Sequence, residues 1–482
     1  MNKRMMLYVC GFMLAVEAGL MLLPIVTALI YGEATGWAFV GTALGAALAG
    51  FGLLKFSKPK SKAIYAKEGL ITVALCWVLL SLVGALPFVL SGEIPSFVDA
   101  VFEMVSGFTT TGSSILTDVE ALSHTALIWR SFSHWVGGMG VLVFMMAILR
   151  MEGGQTIHLL RAESPGPTVA KMVPRMADSS KILYGIYLAL TLILMVFYLA
   201  GGMPLFDTLC HAFGTAGTGG FGIKADSFAG YSPYLQWVTT IFMLLFGINF
   251  SIYFFLLRKK YDLIRKNTEL RWYLGIVAAA TVLITMNIAR LDMFSGAGEA
   301  FRHASFAVGT IITTTGYGTV NFDLWPEFSR MILVLLMCLG ASAGSTGGGF
   351  KVARLVILAK SGKAEVRRLM HPHTVKVLTM DGKPIARETV QATTSYLVVY
   401  VFVMLASILV ISLDNFDTAT TITSVVATFN NIGPGLGVVG PAGSYAAFSD
   451  LSKIAFCFIM MLGRLELYPM LALMLPTSWK KD

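Results

Sequence analysis

The chain has little charge, few cysteines and no nucleotide-binding signature, and each absence excludes a class of protein. Only 13% of its 482 residues are charged, whereas 56% are hydrophobic. So little charge would not keep a globular protein in solution, and the composition therefore predicts a polytopic membrane protein. No GxGxxG run follows a predicted strand, so we expect no nucleotide or other organic cofactor in this chain.

The residue types that build metal centres and catalytic sites are scattered. The five cysteines stand singly, in or beside apolar runs, and are predicted to be packing residues. Of the seven histidines, His371 and His373 stand close together, but no companion ligands lie near them in the sequence. We therefore expect neither an enzyme nor a resident metal centre.

The net charge of +9 is distributed in a way that favours a membrane over nucleic acid as the partner. Basic residues gather in four alternate loops, within residues 55–67, 150–181, 258–271 and 360–387. The loops between them hold chiefly Lys224, Arg290 and Arg302. This is the positive-inside pattern, and it predicts that the basic loops and both termini lie in the cytoplasm.

Long apolar runs predict about ten transmembrane helices, with a short helix and a glycine loop recurring between pairs of them. Two spans, Leu7–Ile30 and Trp37–Phe56, form an N-terminal hairpin. The eight others are paired within four repeats: Gly69–Leu90 with Leu127–Leu149, Ile182–Gly201 with Leu235–Leu257, Trp272–Ala289 with Arg330–Lys360, and Thr389–Leu413 with Leu451–Leu475. The predicted pore helices are Phe97–Phe108, Phe206–Thr215, Ala300–Ile311 and Asp417–Thr428.

The predicted fold is therefore an all-α polytopic membrane protein with four helix–pore loop–helix repeats around a central pore, plus the N-terminal two-helix hairpin. The corresponding divisions are residues 1–66 for the hairpin, then 67–160, 161–258, 259–375 and 376–482 for the repeats. Backbone at membrane depth is tolerated only where protein buries it or where it lines a water-filled cavity. Four non-helical loops at membrane depth around one axis therefore predict a pore.

The glycine loops read SGFTTTG, AGTGG, ITTTGYG and FNNIG, and they have the composition of a cation filter. A dehydrated cation needs oxygens in place of its water, and glycine permits the φ values that point successive carbonyls to one side. A packing or turn role is the alternative for any single loop, but four loops at matching places favour the filter. The candidate residues are Thr110, Thr111, Gly112, Thr218, Gly219, Gly220, Thr314, Thr315, Gly316, Asn431, Ile432 and Gly433. In the second loop Gly217 competes with Gly220 for the filter position.

An acidic residue opens each pore-helix region, and two roles are compatible with it. The four are Asp99, Asp207, Glu299 and Asp417. Such a carboxylate caps or stabilises the first turn of a short helix. It would also attract cations at the outer mouth, and the two roles do not exclude each other.

The run GASAGSTGGGFK at Gly340–Lys351 interrupts an apolar span and is predicted to break it, because each glycine costs roughly 1 kcal/mol against alanine inside a helix. A loop there is a natural gate, and close packing of small residues is the alternative. The candidate gate residues are Gly340, Gly344, Gly347, Gly348, Gly349, Lys351 and Arg464. Because an arginine at membrane depth must face protein or water, we expect Arg464 to bond carbonyls of the Gly340–Gly349 loop. A structural partnership with Glu466 or another acid is the alternative.

These motifs resemble the Trk/Ktr/HKT superfamily of potassium transporters, and most closely its TrkH-type membrane subunit, over nearly the whole chain. FTTTG, TGGF, TTTGYG and NNIGPGLG correspond to the family's filter loops, and GGGFK and MLGRLE to its gating loop and membrane arginine. The resemblance implies K⁺ as the transported ion. It places the K⁺ ligands at Thr111, Gly112, Gly219, Gly220, Thr315, Gly316, Ile432 and Gly433. Glycine at position 112 implies selectivity for K⁺ and Rb⁺, since relatives that pass Na⁺ often have serine there.

The resemblance also implies a homodimer in the bacterial inner membrane, regulated by a cytosolic TrkA-type ring that binds NAD(H), ATP or ADP. The basic loop Lys360–Glu388 is our candidate for docking that ring, and a solvated anchor is the alternative. A K⁺ symporter coupled to H⁺ or Na⁺ remains the second interpretation. It would use intramembrane acids, for which the candidates are Glu17, Glu103 and Glu466.

Overall fold

The structure is a computed structural model that describes residues 2–59, 65–138, 140, 176–371 and 377–479. In this part of the chain the regular structure is helical apart from one hairpin of two short strands, β1 (Thr379–Met380) and β2 (Lys383–Pro384). Six of the described helical segments are long and apolar enough to cross a membrane, and a seventh is added if one bent pair counts as a span. The predicted all-α membrane fold is confirmed.

The N-terminal hairpin comprises α1 (Lys3–Leu20), α2 (Leu22–Tyr31) and α3 (Gly36–Phe56), where α1 and α2 together form the first predicted span. Gly11 and Gly50 allow α1 and α3 to approach closely, since a Cβ atom at Gly50 would lie 2.8 Å from the carbonyl oxygen of Gly11. Small residues are the usual means by which membrane helices pack tightly.

Each repeat has an outer helix, a pore helix and a return helix. Repeat one has α4 (Ala66–Ser91), the pore helix α5 (Phe97–Phe108) and α6 (His124–Gly138). Repeat two has α7 (Met176–Ala200), the pore helix α8 (Leu205–Gly217), then α9 (Pro233–Phe246) and α10 (Phe250–Leu257), and the short helix α11 (Tyr261–Lys266) opens repeat three. Repeat three has α12 (Thr268–Arg290), the pore helix α13 (Ala297–Ile312), α14 (Glu327–Leu339) and α15 (Val352–Met370). Repeat four has α16 (Arg387–Ile411), the pore helix α17 (Thr418–Phe429), α18 (Asp450–Arg464) and α19 (Tyr468–Met474). Short 3₁₀ turns cover Phe322–Leu324, Ser412–Asp414, Gly437–Val439 and Pro476–Trp479.

The repeats close into a ring because each return helix also packs against the pore helix of the next repeat. The packed pairs are α6 with α8, α9 with α13, α14 with α17, and α18 with α5 of repeat one. The four pore helices therefore surround one axis, and the loops that follow them are brought together near its centre.

Two of the predicted return spans are interrupted in the structure. The predicted continuous span Leu235–Leu257 is wrong, since α9 and α10 meet at a 90° bend, where Asn249 caps α10 by accepting a hydrogen bond from the Ser251 amide. The predicted span Leu451–Leu475 also breaks, because Glu466 and Leu467 both have left-handed backbones. The break predicted in repeat three is present. The end of the predicted span Leu127–Leu149 lies outside the described residues.

Candidate filter and intramembrane loop

The four glycine loops have the same backbone conformation. In each loop the residue two places before the glycine has a left-handed φ, namely 56° at Thr110, 53° at Thr218, 59° at Thr314 and 56° at Asn431. The glycine is left-handed too, with φ of 78° at Gly112, 80° at Gly220, 89° at Gly316 and 97° at Gly433. Left-handed φ values are tolerated best by glycine, and Thr is an unusual choice for them. Threonine at three of these positions therefore indicates a conformation imposed by the loop's hydrogen bonds.

Those hydrogen bonds tie each loop to the end of its own pore helix. The amide of the left-handed Thr or Asn donates to the carbonyl three residues earlier, over 3.1–3.2 Å in all four loops. The amide of the following residue donates to the carbonyl five residues earlier, over 2.8–2.9 Å. These bonds satisfy carbonyls at the C-terminal ends of the pore helices. The negative ends of the helix dipoles then point toward the loops.

The loops form a closed ring in which each glycine lies against a carbonyl of the next loop. A Cβ atom at Gly112 would overlap the carbonyl oxygen of Gly219, one at Gly220 that of Thr315, and one at Gly316 that of Ile432. The ring closes at Gly433, whose Cβ would lie 2.8 Å from the carbonyl oxygen of Thr111. Only glycine fits these four positions, because φ is left-handed at each and because a Cβ atom would press against the carbonyl oxygen of the next loop.

The ring position in the second loop is occupied by Gly220. Gly217 is the last residue of the pore helix α8, and a Cβ atom there would overlap the carbonyl oxygen of His134 in α6. The alternative register is therefore not the one that the structure adopts. Sequence reasoning left it open because the loop contains several glycines in succession.

The four quarters of the ring differ in the side chains that support them. In loops one and three a pair of threonine hydroxyls lies 2.8 Å apart, Thr109 with Thr111 and Thr313 with Thr315. In loop four the Asn431 amide nitrogen donates to the Thr111 hydroxyl and to the Met460 carbonyl, both over 2.9 Å. The ring thus has four similar backbones and unequal side chains.

His134 joins the first two loops, and the sequence analysis did not single it out for this role. Its Nδ1 atom lies 2.8 Å from the Gly107 carbonyl, to which it donates, and its Nε2 atom accepts from the Phe221 amide over 3.2 Å. The two bonds require a neutral imidazole with the proton on Nδ1. The signal in the sequence was a histidine inside a predicted membrane span, Leu127–Leu149.

On one side of the ring a cavity of about 380 Å³ is lined by the four ring glycines and by the segments that follow them. Glu103 and Arg130 form a fully buried ion pair beside it, over 2.7 Å. The Glu103 carboxylate also accepts from the Ile115 amide and the Ser114 hydroxyl, so this intramembrane acid is engaged in holding the loop.

The acidic residues that open the pore helices all have local partners. Asp417 is the N-cap of α17 and accepts from the Thr420 amide over 3.0 Å. Asp99 pairs with Lys453 over 2.6 Å, and Asp207 accepts from the Tyr231 hydroxyl over 2.7 Å. Glu299 accepts from the Ser295 amide. These contacts favour the capping and structural role for the four acids.

The glycine-rich segment between α14 and α15 is an irregular loop (Gly340–Lys351) that lies against the other side of the ring. The Gly348 amide donates to the Thr314 hydroxyl over 2.7 Å. A Cβ atom at Gly347 would lie 2.8 Å from the Thr313 carbonyl oxygen. Gly340, Gly344 and Gly349 have φ values of 70–79°. The predicted gate segment therefore adjoins the candidate filter directly.

Two cationic side chains bond carbonyls of this intramembrane loop. Arg464 donates from Nη1 to the Thr346 carbonyl over 2.7 Å, and from Nη2 to the carbonyls of Gly138 and Gly137. Lys351, which is 2% exposed, donates to the Gly347 carbonyl. The expected bond from Arg464 to the loop is present, and its bonds to α6 are new. Glu466, the alternative partner considered for Arg464, forms an ion pair with Arg354.

These observations define the class of the protein. It is a four-repeat membrane protein whose re-entrant pore loops together form a closed ring of backbone carbonyls. The family follows from comparison of the sequence. Residues 39–481 match the model of the TrkH family, described as a cation transport protein, and the chain belongs to this family.

Similar proteins cover the full length of the chain. The Trk system potassium uptake protein TrkH of Salmonella typhimurium is 35% identical over 487 residues, covering 100% of both chains. The Trk system potassium uptake protein TrkG of Escherichia coli K12 is 32% identical, covering 99% of each. The crystal structure of the potassium transporter TrkH from Vibrio parahaemolyticus matches with a TM-score of 0.88 and 31% identity, over 100% of both chains.

Proposed function

We propose that this chain is the potassium-conducting subunit of a Trk-type uptake system, selective for K⁺ and Rb⁺. The observation that carries the proposal is the closed ring formed by the carbonyls of Thr111, Gly219, Thr315 and Ile432 and the glycines that follow them. Rings of backbone carbonyls replace the hydration shell of K⁺ in channels. The names of the relatives, which are potassium uptake proteins, agree with this function.

The ring glycines contribute unequally as ligands. The carbonyl of Gly433 already accepts hydrogen bonds from the Tyr445 hydroxyl over 2.9 Å and from the Ser113 hydroxyl over 3.3 Å. Its oxygen is therefore a weaker K⁺ ligand than the sequence analysis expected. The carbonyls of Thr111, Gly219, Thr315 and Ile432 are the stronger candidates, because each lies against the neighbouring loop within the ring.

The intramembrane loop acts as the gate in this proposal. It adjoins the filter through Gly347 and Gly348, and the side chains of Lys351 and Arg464 bring positive charge beside it. A barrier of this kind blocks a cation both sterically and electrostatically. Opening requires the loop to move away from the ring.

We propose the following assembly and location for the chain. The chain forms a homodimer in the bacterial inner membrane with both termini in the cytoplasm, and a cytosolic TrkA-type ring that binds NAD(H), ATP or ADP controls the gate. The segment Lys360–Glu388 is the proposed docking site. It includes the C-terminal half of α15, which begins directly after the intramembrane loop, and the β1–β2 hairpin.

The test is uptake of radioactive rubidium into proteoliposomes that contain the purified chain, with K⁺ or Na⁺ as competitor. We expect uptake that K⁺ inhibits and Na⁺ does not, and greater Na⁺ competition in Gly112→Ser. A serine there would carry a Cβ atom into the Gly219 carbonyl. Absence of rubidium flux, even after deletion of residues 340–349, would contradict the pore.

A symporter coupled to H⁺ is the second candidate, and Glu17 is the observation that favours it. This α1 residue is fully buried, and neither carboxyl oxygen has a hydrogen-bond partner among the described residues. Its carboxyl group lies beside Gly84 and near the Phe108 ring at the end of the first pore helix. Proton movement that accompanies K⁺ entry in the same proteoliposomes, and that Glu17→Gln abolishes, would support coupling over a passive pore.

A further inference from the structure

Glu269 bonds an amide of the intramembrane loop, whereas Arg464 and Lys351 bond its carbonyls. It is the second residue of α12, and it is 4% exposed. Its Oε1 atom accepts from the amide of Ala343, within the loop, over 2.6 Å, and from the amide of Ala353, in the first turn of α15, over 3.2 Å. One carboxyl oxygen thus joins two amides that are ten residues apart in the sequence.

The bond to Ala353 replaces a missing helix cap. The first amides of a helix have no partner within it, and a side-chain oxygen or a negative charge usually satisfies them. Lys351 occupies the N-cap position of α15 and offers no side-chain acceptor. Glu269 supplies that acceptor from another helix, so the start of α15 and the loop depend on the position of α12.

The start of α12 is in turn bound to the cytosolic hairpin. The Thr268 amide donates to the Asp381 carboxylate over 2.7 Å, and the Asp381 amide donates to the Thr268 hydroxyl over 3.3 Å. Asp381 lies in the two-residue turn between β1 and β2. The same hairpin accepts a hydrogen bond from Lys360 of α15 at the Thr379 carbonyl, over 2.7 Å. The hairpin therefore contacts both helices that Glu269 connects.

We propose that Glu269 is a latch through which the β1–β2 hairpin controls the intramembrane loop. Displacement of the hairpin withdraws Asp381 from Thr268, shifts the first turn of α12, and removes the Glu269 oxygen from Ala343 and Ala353. The loop then keeps the bonds from Arg464 and Lys351, but its Ala343 amide loses its acceptor. This inference rests on the proposed gating role of the loop and adds the residue and the surface that operate it.

The test uses two readouts on the full-length chain without any partner. The first is hydrogen exchange at the amides of Ala343 and Ala353, and the second is rubidium flux into proteoliposomes. In Glu269→Ala we expect faster exchange at both amides and a flux increase of about tenfold, since a hydrogen bond to a charged group is lost. Glu269→Gln keeps an acceptor oxygen and should lie between wild type and Glu269→Ala. Glu327→Ala removes an exposed first-turn acid from α14 and should match wild type.

The hairpin is tested with Asp381→Gly, because glycine suits the left-handed φ of 54° at that position. We expect a smaller increase in exchange and flux than in Glu269→Ala, and no further increase when the two changes are combined, since both act through one contact. An added effect of Asp381→Gly in the Glu269→Ala background would overturn the connection between hairpin and latch. Wild-type exchange and flux in Glu269→Ala would overturn the latch itself.

Deletion of residues 340–349 separates this failure from failure of the proposed function. If the deletion raises flux while Glu269→Ala leaves it unchanged, the gate stands and the latch is wrong. If rubidium flux is present and the deletion leaves it unchanged, the loop is no gate, so the gating role and the latch both fall while the pore stands.

Discussion

The candidate filter and the intramembrane loop lie side by side, but among the described residues charged side chains contribute directly to holding only the second of them. Each filter loop is fixed by backbone hydrogen bonds to its own pore helix, and the pattern recurs four times. The intramembrane loop occurs once. Backbone hydrogen bonds join it to the bend between α9 and α10, and three charged side chains also hold it: Arg464 of α18, Glu269 of α12 and Lys351 of the loop itself. Backbone hydrogen bonds resist single side-chain changes, whereas contacts made by a few charged side chains can be lost through one change.

The largest effect should come from Arg464→Ala, which tests whether the loop depends on side chains. The change removes the donor to Thr346 and to the two α6 carbonyls, and we expect rubidium flux in the absence of any partner to rise by about tenfold to a hundredfold. Arg290→Ala, at the exposed end of α12, serves as the control. Unchanged flux in a folded Arg464→Ala protein would remove the distinction between the two regions.

Gly220→Ala tests the opposite claim, that the filter depends on its backbone. The new Cβ atom overlaps the Thr315 carbonyl oxygen and occupies a residue with φ of 80°. A left-handed non-glycine residue costs about 1–3 kcal/mol, so the ring must distort. We expect the preference for Rb⁺ over Na⁺ to fall by about tenfold, as measured by competition in proteoliposomes.

Gly185→Ala is the matched control for that change. Gly185 lies within α7, and no atom lies within 4 Å of a Cβ atom built there. Its selectivity should equal that of the wild type. Equal selectivity in Gly220→Ala as well would show that the ring does not discriminate between cations.

Asn431→Thr tests how much the unequal side chains of the ring matter, because it makes the fourth loop more like the first and third. The change removes the hydrogen bonds to Thr111 and Met460 and should lower the free energy of unfolding by about 1 kcal/mol. Thr111→Val removes one of the same bonds, so the double variant should lose less than the sum of the two single changes. Additive losses in thermal unfolding would show that the two side chains do not interact.

The smallest effect is expected at the N-cap of the fourth pore helix. The Thr420 hydroxyl donates to Asp417 and lowers the pKa of its carboxyl group. Asp417→Ala should cost about 1 kcal/mol at neutral pH. Because the folded-state pKa is lowered, this contribution is fully present above the unfolded-state pKa of about 3.9, and it is lost as the pH falls through the folded-state value.

The pH dependence of the Asp417 contribution is checked by thermal unfolding at neutral pH and at a pH below the folded-state pKa. The difference between wild type and Asp417→Ala should shrink at the acidic pH. Asp417→Asn keeps a good N-cap without an ionisable group, so its own cap contribution should not depend on pH. A difference between wild type and Asp417→Ala that stays constant with pH would contradict the cap.

The pore helices and the ring glycines were predictable from the sequence because their signals are local. The opening acidic residues, the apolar runs and the glycine loops locate α5 and α17 to within one residue of their observed limits. The choice between Gly217 and Gly220 was not predictable, because it depends on the contacts of Gly217 with His134 and of Gly220 with Thr315. These contacts come from other repeats.

Glu269 and the break at Glu466 escaped prediction for a related reason. An acid at a predicted membrane edge looks the same whether it faces solvent or a buried amide, and only the position of Ala343 distinguishes the two. Glu466 and Leu467 have left-handed backbones although neither is a glycine, so the sequence gives no local signal for the break. Asp381–Gly382 is a common two-residue hairpin signal, but the sequence analysis predicted no strands and did not use it.

The ring also has a consequence for how its chemistry can be altered. In a pore built from four identical subunits, every substitution appears four times and moves the whole environment of the ion at once. Here the four quarters lie on one polypeptide, and Asn431 already differs from its counterparts Thr110, Thr218 and Thr314. In the proposed filter a single substitution therefore changes one quarter in four, so that we expect the preference for one ion over another to be adjustable one quarter at a time.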